Sequence, residues 1–141
     1  MYYKLMNNIQ EIKYKNKLCA LLISYENKKG LNFFTKPNLS QQVAFMKYDS
    51  KKSISPHFHK KFKRIINNTC EVLIILKGVL KVNLFNSKKK IFKNFLVKKK
   101  QILILTGGGH GFEIIKPIEM IEVKQGPYKK YKDKSLINDH D

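Results

Sequence analysis

The sequence predicts an all-β domain built as an antiparallel sandwich or barrel, and three observations carry that expectation. Short stretches rich in β-branched and aromatic residues recur at residues 17–25, 42–48, 55–59, 71–77, 79–85, 92–97, 101–105, 111–115 and 120–124. Turn-forming stretches separate them at residues 27–30, 36–40, 49–53, 86–90, 98–100, 106–109 and 116–119. No run of a dozen residues holds an apolar stripe at helical spacing, although the first dozen residues are expected to form a helical turn or two. Many short strands without intervening helices specify a sheet that closes on itself or packs on a second sheet.

Length and composition set the scale. At 141 residues and 43% hydrophobic, the chain is expected to form one domain, residues 1–141, with its core at about 17–125. The polar tail at 127–141, with His140, is expected on the surface. Sixteen Ile and 9 Phe beside 7 Gly and 4 Pro exclude a disordered or fibrous composition. The longest apolar runs, 18–23 and 72–76, fall far short of the roughly 18–20 residues that a membrane-crossing helix needs. The first residues, MYYKLMNNIQEIKYK, hold no signal-like apolar core. Cys19 and Cys70 form no Cys-x-x-Cys pair, so two free thiols in a reducing cytoplasm are expected.

The net charge of +19 invites a nucleic-acid reading, because phosphates reward such charge. Only Arg64 among the 29 basic residues is arginine, however, and the lysines occur with 12 Asn and 16 Ile, as when coding sequence drifts toward A and T. A protein that reads bases or phosphates bidentately would use more arginine. The charge is therefore expected to be spread over turns and strand ends, with a small molecule, and not nucleic acid, as partner.

Three of the four histidines lie in contexts that make joint chemical sense. His57 and His59 are at i and i+2 of Ser-Pro-His-Phe-His, a spacing that in a strand puts both imidazoles on one face. By the same alternation Phe58 is expected to point into the packing layer. Glu71 opens the apolar strand EVLIILKG, with Cys70 facing the other side, and His110 follows the flexible run Thr106-Gly107-Gly108-Gly109. Three imidazoles and a carboxylate suit Fe, Mn, Ni, Zn or Cu with room for water or substrate. The expected metal ligands are thus His57, His59, Glu71 and His110, with Glu113 and Glu122 as reserve carboxylates should a shift in register turn Glu71 outward.

His-x-His, then Glu followed after six residues by Gly, then Gly-x-x-His resembles the two motifs of the cupin superfamily. The likeness covers residues 56–78 and 105–110. The spacer of 11 residues between His59 and Glu71 is much longer than the family's, which implies a lengthened hairpin over 60–70. Leu105 stands where the second motif has Pro, and Ile114 where it usually has Asn. The resemblance implies a double-stranded β-helix barrel and a homodimer paired through a sheet edge, with strand 18–23 as the edge to be covered.

Arg64, in that lengthened hairpin, is the candidate for gripping a substrate carboxylate or phosphate, and Phe112, sharing parity with His110, for lining the pocket. The expected function is a metal-binding cupin that acts on a polar or anionic carbohydrate-type substrate by isomerase, epimerase, lyase or dioxygenase chemistry. A metal-free isomerase or epimerase using the histidines as acid and base is the alternative, and a non-catalytic ligand-binding cupin the third.

Overall fold

A computed structural model describes residues 8–129 and 132–137. All its regular elements are strands: β1 (Ile9–Tyr14), β2 (Lys17–Ser24), β3 (Gly30–Phe33), β4 (Ala44–Lys47), β5 (Glu71–Phe85), β6 (Ile91–Lys98), β7 (Gln101–Leu105) and β8 (Gly109–Lys124). The all-β expectation holds, and no helix occurs among the described residues. No helix among the described residues is long and apolar enough to cross a membrane. His140 lies outside the described residues.

Two compact units are present. One is Glu26–Asn67, whose regular structure is the antiparallel β3–β4 pair. Thr35 fixes its far end, its hydroxyl accepting a hydrogen bond from the Val43 N–H at 3.0 Å. The other comprises Asn8–Tyr25 and the chain from Asn68 onward, and holds a six-stranded antiparallel sheet.

In that sheet β5 is the axis. Its first half, from Glu71 to Ile74, lies between β7 and β8, and its second half, from Val79 to Phe85, between β6 and β8. Strands β1 and β2 extend the β7 side. The ladder also shows that β5 cannot be straight. Leu105 pairs with Glu71 at one end of β5, and four residues later Gly109 pairs with Phe85 at the other. Fourteen residues of straight strand would span ~46 Å, whereas four residues plus two cross-strand steps reach ~25 Å. The sheet must curl, and the result is a half-barrel.

The bend lies at Gly78. Its φ is +87°, and a Cβ there would lie 2.8 Å from the Ile118 Cα, so only glycine suits the position. Irregularities in the β5–β8 ladder cluster between Ile75 and Leu80. They also switch which residues face inward: Leu73 and Ile75 before the bend, Leu80, Val82 and Leu84 after it, all buried in one cluster with Leu22, Val97, Leu103 and Leu105.

Several expectations change. The stretches 71–77 and 79–85 are one bent strand, because Gly78 bends the ladder without ending it. Likewise 111–115 and 120–124 join in β8, where Pro117 is tolerated because this strand pairs on one side only among the described residues. Residues 9–14 form β1 and not helix, through pairing with β2. That pairing makes β2 an interior strand between β1 and β7, so 18–23 is not the free edge expected. Residues 55–59 form no strand: Pro56 lacks an N–H, no neighbour supplies a ladder, and Phe58, expected in the core, is 100% exposed.

Candidate acid–base site

Glu71 and His110 meet in the curled sheet. Glu71 shares the inward face of β5 with Leu73 and Ile75, since Glu71 pairs with Leu105 and Leu73 with Leu103, all buried. His110, the second residue of β8, pairs with Leu84 and so faces inward beyond the bend. The curl brings the two together, with Nε2 of His110 3.0 Å from Oε2 of Glu71.

Glu71 is 7% exposed, and a carboxylate so enclosed needs partners to stay ionised. It has them. The His110 hydrogen bond pulls its pKa below the usual carboxylate value, against the opposing effect of burial, and positive charge on His110, Lys124 and Lys134 adds to the lowering. Lys124 Nζ lies 3.9 Å from Glu71 Oε1 and 3.6 Å from Glu122 Oε2. It also stands 5.3 Å from the centre of the Tyr128 ring. The backbone beneath is tied down, Cys70 N–H donating to Gln125 Oε1 at 2.7 Å.

With Nε2 directed at a carboxylate, the imidazole carries its proton there when neutral, and Nδ1 is left to exchange a proton with a ligand. His110 remains partly open, its side chain 29% exposed, and the Phe112 ring lies beside it at 5.3 Å between centroids. The pair therefore has the parts of a general acid–base: a buried anion that orients a ring, and a ring that reaches solvent.

The other expected residues are placed as follows. His57 and His59 belong to the Glu26–Asn67 unit, exposed, with ring centroids 5.0 Å apart and nearly edge-on. Nδ1 of His57 lies 2.9 Å from the Ser55 carbonyl, which makes that nitrogen the donor. Arg64, also exposed, stacks its guanidinium 3.6 Å above the Phe62 ring. Of the reserve carboxylates, Glu113 points to the opposite face from His110 and accepts from Asn83 Nδ2 at 2.7 Å, and Glu122 pairs with Lys124. Of the four expected ligands, His57 and His59 belong to the first unit, and Glu71 and His110 to the second. Among the described residues no group of three or more His, Cys, Asp or Glu side chains is gathered to hold a metal ion.

Sequence reasoning missed Lys124 and Gln125. The strand ending IEVK-Gln was visible, but its alignment beside Glu71, 53 positions earlier, is a matter of long-range pairing. No family model, curated protein or solved structure matches the chain.

Proposed function

We propose that the chain is a cupin-like protein whose Glu71–His110 pair performs metal-free general acid–base chemistry on a polar, anionic carbohydrate-type substrate, in the manner of an isomerase or epimerase. The observation that carries this reading is the 3.0 Å contact between His110 Nε2 and the buried Glu71 carboxylate. In the reaction, Nδ1 of His110 takes a proton from the carbon next to a carbonyl, and the resulting enediolate passes its hydroxyl proton to the former carbonyl oxygen. The imidazolium then returns its proton to the former carbonyl carbon, or to the original carbon after the planar intermediate has turned over. Glu71 holds the ring in one tautomer and stabilises the imidazolium that forms in between. Lys124, whose ammonium is beside the pair, supplies positive charge for an anionic substrate.

Incubation of the protein in D2O with a panel of ketose and aldose phosphates and nucleoside-diphosphate sugars tests the reading. Deuterium incorporated at the carbon beside the carbonyl, and lost in His110→Gln, is the expected result. Absence of exchange across the panel overturns it. Purified protein that carries one transition-metal ion per chain, lost in both His57→Ala and His110→Ala, would replace it with the metalloprotein reading.

A further inference from the structure

The open end of the β3–β4 pair forms a hollow of about 380 Å³ lined by Lys29, Gly30, Lys47, Tyr48, Asp49, Ser50, Lys51 and Lys52. From its geometry we infer that this hollow is a binding site for a multiply charged phosphoryl group, such as a diphosphate, separate from the acid–base pair and independent of the reading given to it.

Three observations support the assignment. Four of the eight lining residues are lysine: Lys29, Lys47, Lys51 and Lys52. Asp49 is the only acidic residue in the lining, and it is paired with Lys29 at 2.7 Å, so Lys47, Lys51 and Lys52 leave three positive charges without a lining carboxylate of their own. Such a concave cluster of one sign attracts an anion of several charges far better than a single one.

The lips of the hollow are also held in shape. The buried Asn32 amide donates to the carbonyls of Lys28, Lys29 and Gly30 at 3.1–3.3 Å, which fixes the turn that carries Lys29. Gly30 pairs with Lys47 across the ladder, and nothing lies within 4 Å of where a Gly30 Cβ would be, so a ligand can approach the backbone there. Lys51, in the lining, adopts a left-handed φ of +65°. Ser50 and Tyr48 add hydroxyls that can donate to phosphate oxygens.

Calorimetric titration of the full chain with inorganic pyrophosphate at ~150 mM salt, where exposed single charges are well screened, tests the site. Saturable binding is expected, weakened about tenfold or more by Lys47→Gln combined with Lys51→Gln. It should change less than twofold on substituting Gln at Lys98, Lys99 and Lys100, an equally basic run outside the hollow. Asp49→Asn should tighten binding by freeing Lys29. A nucleoside diphosphate that binds as tightly as pyrophosphate would show that the phosphoryl groups alone are recognised. Equal losses in the two sets of lysine variants, or no saturation at millimolar pyrophosphate, would overturn the proposal. Measuring the same titration on His110→Gln keeps it distinct from the acid–base reading, since that variant should bind pyrophosphate like the parent.

Discussion

His110 Nε2 lies 3.0 Å from Glu71 Oε2, although Leu84, the partner of His110 on β5, is thirteen residues along the strand from Glu71. Only a bent β5 permits this, so the contact reports the curl of the sheet as well as the chemistry of the site. It follows that substitutions at the pair and at the bend should be separable: the first alters titration and proton transfer, the second the stability of the whole sheet.

Glu71→Gln keeps the shape and an acceptor for the imidazole but removes the charge. Because the folded carboxyl titrates below its ordinary value of about 4.3, Glu71 adds stability that is present above that value and lost as pH falls through the folded one. The variant should therefore be less stable than the parent by about 1–3 kcal/mol at neutral pH, with the gap closing below pH ~4. Urea unfolding at pH 7, 5 and 3.5 measures it, and a gap that stays constant with pH would contradict the lowered pKa.

At His110 the two obvious substitutions should differ. His110→Ala leaves a buried carboxylate without its main donor and should cost about 1–3 kcal/mol, whereas His110→Gln can still donate and should cost less than half as much. Both should remove proton transfer. Equal destabilisation by the two would show that the ring's packing against Phe112, and not its hydrogen bond, is what the fold uses.

Much of this was legible in the chain, and the reasons for the rest are physical. Short β-rich runs marked β2, β6 and β7 within a residue or two, since turn formers flank each of them. Glu71 and His110 were both visible as candidates because a carboxylate opening an apolar strand and a histidine closing a glycine run are conspicuous. Glycine at 78 and proline at 117 misled: they usually end strands, but here they lie opposite each other in one ladder, at a register shift where the two backbones approach closely. Parity likewise failed for Phe58, because the alternation rule needs a strand and residues 55–59 have no partner to make one. Lys124 and the β3–β4 hollow were out of reach, since each depends on which distant segments pair.

The bend gives a sharp test of that last point. Gly78→Ala places a methyl group against the Pro117 carbonyl and Ile118 at a φ of +87°, and should cost about 2–4 kcal/mol. The far-ultraviolet spectrum should stay β-type, while the Glu71–His110 coupling weakens as the two halves of the strand spread. An increase in stability, as glycine-to-alanine changes give at ordinary strand positions, would show that β5 is straighter than its ladder requires.

Finally, two apolar residues that composition alone treats alike should behave in opposite ways. Leu80 is 0% exposed, just beyond the bend, and packs in the cluster with Val82, Leu84 and Val97. Its truncation to Ala removes buried surface and leaves a cavity that the curled sheet cannot close without straightening, so Leu80→Ala should cost about 2–5 kcal/mol. Phe58 is wholly exposed, and Phe58→Ser should leave stability within about 0.5 kcal/mol of the parent. Chemical denaturation of both variants at one pH decides the matter. A loss at Phe58 comparable to that at Leu80 would mean that the aromatic ring is buried in solution, either within the chain or against a second molecule, and dilution across the unfolding series would tell these apart, because only the second depends on concentration.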